Sequence, residues 1–275
     1  MRKYQIHKEF GLKNVINSVS CLYNEVAKIN KISFKEFEAK IFSFSMSRNK
    51  IRSMQPFKFY PCTDSLNIDG YKRLDQKKQG LIECIKKRRS IRTYKKSKIS
   101  LCEIGYLLHY SYGITENFKV NMEGEQKKIG LRSVPSAGAL YPLEIYAAIY
   151  GGECKDGIYH YQPYNDTIEY VCDIIPKEEL SKIINSGTIV DIQNASMVIF
   201  ATSVTERYLI KYGDRGYKFM LQETGFVLEN LSLLSTSIGY GSCMLGGFFD
   251  DEINRLLGLD GLFETINGVI VIGKE

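Results

Sequence analysis

Residues 132–145 read Arg-Ser-Val-Pro-Ser-Ala-Gly-Ala-Leu-Tyr-Pro-Leu-Glu-Ile, and how this stretch is read decides the fold. Pro135, Ser136, Ala137, Gly138 and Ala139 make a loop of small residues that runs straight into 143–150, an apolar segment with the composition of a buried strand. Consecutive near-minimal side chains bring bare backbone to the surface, where a flat or anionic ligand can come close. A plain Gly/Pro turn ahead of a strand is the competing account, and the loop alone does not choose between them. The choice falls to the rest of the chain.

Three further segments bear on it. Arg88-Arg89-Ser90-Ile91-Arg92 places three guanidiniums and a hydroxyl within five residues, and forked Arg donors match phosphate oxygens two at a time. The same residues could simply be the basic end of a helix over 80–89, meeting its dipole. Residues 239–247, Gly-Tyr-Gly-Ser-Cys-Met-Leu-Gly-Gly, hold four glycines in nine positions, so the backbone there bends tightly or approaches something closely. They follow no G-x-G-x-x-G strand-turn-helix pattern, which argues against a nicotinamide dinucleotide fold. Residues 211–217, Lys-Tyr-Gly-Asp-Arg-Gly-Tyr, set titratable groups between glycines; a Lys beside a Tyr can move a proton near a polarised substrate, although exposed Lys-Tyr pairs are commonplace. Ser136, Ser203 and Cys243 have no neighbouring acid or base motif for nucleophilic catalysis.

Around these segments the chain reads as an ordinary globular protein of 275 residues, 44% apolar and 25% charged. Val15, Val19, Leu22, Val26 and Ile29 recur at helical steps, and a second helix is expected over 34–44. A polar stretch, 48–79, with Pro56 and Pro61, reads as a linker, so an arm over 1–79 and a main domain over 80–275 are expected. Ser100 and Glu103 form a capping box opening a helix whose Leu101, Ile104, Leu107 and Leu108 face inward. Strands are expected over 143–150, 157–162, 167–171, 195–204 and 266–272, a glycine-punctuated turn and strand over 239–247, and helices over 176–186, 217–238 and 250–257. Helices and strands interleave without a regular βαβ beat, which points to an α+β fold.

Net charge is +6 with lysines spread along the chain, so a nucleic-acid role is disfavoured. No apolar run is long enough for a membrane span, and no signal segment is read at the start. Seven cysteines without a C-x-x-C pair, and three scattered histidines, argue against structural zinc and point to a reducing, cytoplasmic setting.

Taken in order, these segments resemble the nitroreductase-like flavoproteins, and more narrowly the SagB/McbC-type dehydrogenases that oxidise azolines to azoles in peptide natural products. The resemblance covers roughly 80–273. It implies a mostly antiparallel sheet flanked by helices, with FMN at a homodimer interface. Arg88, Arg89, Ser90 and Arg92 would hold the FMN phosphate. The P-S-A-G-x-L-Y-P-L-E loop, with Pro135, Ser136, Ala137, Gly138 and Leu140, would reach the flavin from the partner subunit. Met244, Leu245, Gly246 and Gly247 would lie against the ring, with the Gly246 amide facing N5. Lys211 and Tyr212 correspond to the family's catalytic pair.

There are departures. Ordinary nitroreductases carry Asn and Gln where this chain has Ala139 and Tyr141, and Lys274 would stand in for their basic tail. The branch's Leu-Glu-Ala-Gly-His is Gln222-Glu223-Thr224-Gly225-Phe226 in this chain.

The implied reaction removes a proton and a hydride from adjacent carbons of a thiazoline or oxazoline in a peptide, with dioxygen reoxidising the flavin. A cyclodehydratase is the implied partner. Alternatives are an NAD(P)H-dependent flavoenzyme reducing a dehydroamino acid, nitro group or quinone, a non-catalytic scaffold subunit of an azole-synthesis complex, and a nucleic-acid binder.

Overall fold

The computed structural model describes Tyr23 and residues 34–46, 57–60, 64–73, 80–122, 125–184 and 190–275. The helix expected over 15–29 lies almost wholly outside them. The elements begin with α1 (Phe34–Met46), β1 (Ser65–Asn67), α2 (Leu81–Lys87) and α3 (Leu101–Tyr112). A hairpin of β2 (Ile114–Met122) and β3 (Glu125–Arg132) follows, then β4 (Leu143–Ile149), β5 (Gly157–Gln162), β6 (Thr167–Cys172) and α4 (Lys177–Ile183). The last part holds β7 (Met197–Val204), α5 (Glu206–Tyr212), α6 (Arg215–Ser237), β8 (Tyr240–Leu245), α7 (Asp250–Leu256) and β9 (Glu264–Lys274).

Seven strands form the main sheet in the order β1-β6-β5-β4-β7-β9-β8, with every neighbouring pair antiparallel. Successive side chains of a strand point to opposite faces, so each central strand feeds two layers. From β4, Leu143, Ile145, Ala147 and Ile149 enter one core with Ile104, Leu107 and Leu108 of α3 and Val227, Leu228 and Leu231 of α6. Tyr146 and Ala148 enter the other, with Leu180 of α4 and Ile253 of α7. Helices cover both faces, which is why 143–150 and 195–204 lack the polar alternation of a half-exposed strand. Each large apolar side chain fully buried this way contributes about 1.5–3 kcal/mol. The α+β architecture expected from the sequence is the one observed.

Local signals explain the element boundaries. The Glu103 amide donates to Ser100 Oγ at 3.2 Å while the Ser100 amide donates to Glu103 Oε2 at 2.9 Å, so the capping box closes the start of α3. The long helix α6 begins at Arg215, two residues ahead of its expected start, and its buried side includes Met220, Glu223, Thr224, Val227 and Leu231. Several elements are new, strand β1 among them. The β2–β3 hairpin and the short helix α5 carry no clear periodicity, and the sequence assigned them no structure.

Residues 65–73 lie before the boundary drawn at 79, yet 65–67 pair into the main sheet and 68–73 pack on its core. Strand β1 pairs with β6 through Leu66↔Ile168, and Ile68 and Tyr71 enter the core shared with α3. A three-residue edge strand is too short to show a period, so the polar composition around it dominates the reading. Gly105 of α3 is the contact point: a Cβ there would stand 2.1 Å from the Ile68 carbonyl oxygen. Gly105→Ala therefore forces backbone apart and is expected to destabilise the chain by about 1–3 kcal/mol in urea unfolding. An unchanged midpoint would show that segment 65–73 is not docked.

Candidate active site

The loop opening on Pro135 is strained and over-determined. Gly138, Ala139 and Tyr141 have φ of 66°, 53° and 41°, the left-handed region that costs a non-glycine residue about 1–3 kcal/mol. Several bonds hold Tyr141 there. Its amide donates to Ser136 Oγ at 2.9 Å, its hydroxyl accepts from the Arg132 amide at 3.0 Å, and its carbonyl accepts from Arg207 at 3.1 Å. Strain retained by this many restraints is a mark of functional loops.

Beneath the loop sits a buried carboxylate, Glu223 of α6. The Tyr208 hydroxyl donates to Glu223 Oε2 at 2.5 Å, and the Tyr112 hydroxyl donates to Oε1 at 2.8 Å. Tyr208 also lies 2.9 Å from Ser136 Oγ and accepts from the Ala137 amide at 3.1 Å. Tyr112 in turn accepts from the Leu143 amide at 3.1 Å. One carboxylate thus ties helices α3, α5 and α6 to the loop and to the start of β4. Burial pushes the Glu223 carboxyl above its ordinary range, against the lowering effect of its donors.

A second buried acid anchors α5. Arg207 pairs with Glu144 of β4 at 2.5 Å, and His160 of β5 lies 2.7 Å from the other carboxylate oxygen and 3.2 Å from Glu169. Burial would raise the Glu144 pKa, but Arg207 and His160 overcome it and hold the carboxyl at about 2.

Helix α5 carries the Lys-Tyr pair to the loop. A Cβ on Gly138 would stand 2.5 Å from Lys211 Nζ and 2.7 Å from the Tyr212 hydroxyl, so both polar tips lie directly over this glycine. A side chain at 138 would occupy their place. Burial raises the Tyr212 hydroxyl above its ordinary value, keeping it protonated at neutral pH. Leu140 is buried in a small core with Tyr208 and Met220, against which Ala137 packs, while Pro135 and Gly138 are exposed.

The arginine segment and the late glycines form a second cluster. Ser90 bridges Ser242 in parallel fashion, and the Ile91 amide donates to the Ser242 carbonyl at 2.9 Å. Gly241 permits this approach, because a Cβ there would meet the Ile91 side chain at 2.6 Å. Arg89, Ser90 and Arg92 are exposed beside β8, and Arg88 lies 3.8 Å from Glu229 of α6. Met244, Gly246 and Gly247 are exposed at the far end of β8, and a Cβ on Gly246 would meet nothing within 4 Å. Arg89 donates to the Lys86 and Arg88 carbonyls at 3.0 and 2.6 Å and Arg92 to the Ser90 carbonyl at 3.2 Å, so these two guanidiniums lie close to their own segment, and the space around Gly246 is clear of side chains. Lys274 is engaged elsewhere, donating to the Ile238 carbonyl at 3.4 Å and lying 4.3 Å from the Tyr240 ring centroid.

The two clusters occupy different parts of α6. Glu223 marks the first and Glu229 the second, six residues on, or about 9 Å along the axis and roughly 120° around it. Within one chain, Lys211 and Tyr212 meet Gly138, and the arginine segment meets β8. Sequence reasoning passed over Tyr112, Arg207, Tyr208 and the role of Glu223. A charged residue on the buried stripe of α6 was the available signal.

Comparison with known proteins shows the family. The profile of the Nitroreductase family matches residues 85–274, well over half of the chain. The chain belongs to the nitroreductase family. That membership makes it an oxidoreductase. MJ1384 of Methanocaldococcus jannaschii, named as a nitroreductase, is 34% identical over 172 residues, which are 62% of this chain and 80% of that protein. The microcin B17-processing protein McbC of Escherichia coli is 27% identical over 134 residues, 47% of this chain and 49% of McbC. Among solved structures, a nitroreductase-type protein from Anabaena variabilis superposes with a TM-score of 0.69 at 23% identity, covering 93% of this chain and 46% of that one. The Escherichia coli microcin synthetase complex McbBCD, with truncated pro-microcin bound, gives a TM-score of 0.56 at 20% identity, covering 87% of this chain and 86% of the matched one. The sequence match to McbC and the superposition on the Anabaena protein each span about half the length of that protein.

Two outcomes test the buried framework. Tyr208→Phe removes the hydroxyl shared by Glu223, Ser136 and Ala137, with an expected loss of about 1–3 kcal/mol. Because the folded Glu223 pKa is raised, stability from this group falls as pH climbs from 4.5 through the raised value, and losing a donor to the carboxylate hurts most above it. The stability deficit of the variant relative to wild type should grow as pH rises above 4.5, read by unfolding across a pH series. Arg207→Met leaves Glu144 buried without its guanidinium, with an expected cost of about 3–5 kcal/mol at neutral pH. Wild-type stabilisation from Glu144 is complete above 4.5 and is lost as pH falls toward 2, so that acid-side loss should shrink in the variant. Equal acid denaturation profiles for the two proteins would remove the ion pair from this account.

Proposed function

We propose that the chain is an FMN-dependent dehydrogenase that oxidises a thiazoline or oxazoline in a ribosomally made peptide to the aromatic azole. The observation that carries this reading is the placing of Lys211 Nζ and the Tyr212 hydroxyl over Gly138 of the P-S-A-G loop. FMN, when bound, supplies the acceptor for the hydride removed from the ring. Arg88, Arg89, Ser90 and Arg92 would hold its phosphate, and Met244, Leu245, Gly246 and Gly247, with Pro135, Ser136, Ala137, Gly138 and Leu140, would line its ring. Lys211 as the neutral amine, or Tyr212 as the phenolate, would take the proton from the adjacent carbon; burial makes Tyr212 a weaker acid than an exposed tyrosine and disfavours its phenolate, so the amine is the better acceptor.

The arginine segment and the loop lie in separate clusters, so one ligand served by both is best supplied by two copies of the chain in a homodimer. Exposed apolar side chains, Leu81, Ile82 and Ile85 of α2 with Leu221 and Phe226 of α6, support such a contact. The similarity to McbC, a peptide-processing protein, and the microcin synthetase complex with a bound pro-peptide support a peptide substrate and a cyclodehydratase partner. Among the described residues no helix is long and apolar enough to cross a membrane. A cytoplasmic site of action fits the reading.

An absorption spectrum after incubation with FMN is the first test: the purified chain should be yellow, and a chain that stays colourless rules the reading out. Lys211→Ala combined with Tyr212→Phe should retain the flavin and lose about 100-fold or more in azoline oxidation. A double variant that still supports azole formation would make the chain a scaffold. The similarity to MJ1384 favours the second reading, an NAD(P)H-dependent reductase, and rapid bleaching of bound flavin by NAD(P)H alone would select it.

A further inference from the structure

We infer that α1 is a positioning element of the active site, in which Phe44 and Phe37 fix the Lys211 amine and the Tyr212 ring. The inference rests on the proposed role of that pair, and it extends the site to residues well before the matched family segment at 85–274.

Phe37, Ile41 and Phe44 recur at four- and three-residue steps, so they share one side of α1. Phe42 and Met46 face outward, 66% and 75% exposed, whereas Phe44 is 6% exposed. Phe44 enters the small core of Leu140, Tyr208 and Met220, against which Ala137, Tyr212 and Phe219 pack. This core is distinct from the two that hold the main sheet. It is made from the loop, α5, the first turns of α6 and α1.

The Phe44 ring centroid lies 5.5 Å from Lys211 Nζ, and the Tyr212 ring centroid lies 5.1 Å from the same atom. Phe37 stacks on Tyr212 with centroids 6.5 Å apart and planes 25° apart. Lys40 reaches the end of α5, its Nζ 3.1 Å from where a Cβ on Gly213 would stand.

Two aromatic rings within about 6 Å of Lys211 Nζ narrow the space its flexible stem can sample, and their faces would attract the ammonium formed once the amine has taken the proton. A proton-transfer group needs that narrowing, because a displacement of about 1 Å can cost 100-fold in rate. Phe44 and Phe37 act through Lys211 and Tyr212 and need not touch substrate.

The test uses the full chain with Phe44→Leu, Phe44→Ala, Phe37→Ala and the outward control Phe42→Ala. Acetic anhydride labelling of Lys211 at fixed pH, read by mass spectrometry against Lys182, reports how the amine is held without any substrate. Phe44→Leu keeps the site apolar and should leave the melting temperature near wild type. It should nevertheless raise Lys211 labelling several-fold and lower kcat for a thiazoline peptide about tenfold, with KM nearly unchanged. Phe37→Ala should act in the same direction and Phe42→Ala should do neither. Unchanged Lys211 labelling in both Phe44 variants, or an equal change in Phe42→Ala, overturns the inference. A wild-type chain that oxidises no azoline defeats the proposed function instead, and the labelling result still decides the contact.

Discussion

A single carboxylate taken out of water organises the loop, the short helix and the sheet around it. Glu223 cannot be left alone in an apolar interior, where an unpaired charge costs several kcal/mol, so its two oxygens recruit the hydroxyls of Tyr208 and Tyr112. Those hydroxyls then accept from Ala137 and Leu143, the amides at the two ends of the small-residue loop. The loop's shape is therefore set from below by a hydrogen-bond network and not by its own propensity. Three residues in four positions are left-handed, and Tyr141 is held there by its bonds to Ser136, Arg132 and Arg207.

Helix α5 is seven residues long, too short to be stable by itself, and its place comes from tertiary contacts. Arg207 fastens its start to Glu144, and Tyr208 fastens its middle to Glu223. The end that carries Lys211 and Tyr212 leans on Gly138 from one side and on the aromatic face of α1 from the other. Buried charge pairing at one end and aromatic packing at the other give the pair a fixed origin.

Much of the candidate site was legible because its chemistry is local. The Arg88–Arg92 segment, the late glycines and the P-S-A-G loop are runs of adjacent residues whose types state what the backbone or the guanidiniums can do. Residues such as Tyr112, Arg207 and Tyr208 could not be found that way. Each is an unremarked side chain in its own segment and gains meaning only from a partner well along the chain, 15 positions away for Tyr208 and 111 for Tyr112. The hairpin over 114–132 and β1 at 65–67 were missed for another reason. They are short or polar, so no hydrophobic period stands out in the windows where one is measured.

The sequence by itself determined the α+β class and the course of the buried strands, because hydrophobic period and capping residues act over a few residues. Only the tertiary structure decided that Lys211 and Tyr212 sit over Gly138 while the arginines lie along β8. It also decided that α1 closes over the pair. Those placements come from buried charge pairing and side-chain packing between distant segments, which no local pattern encodes.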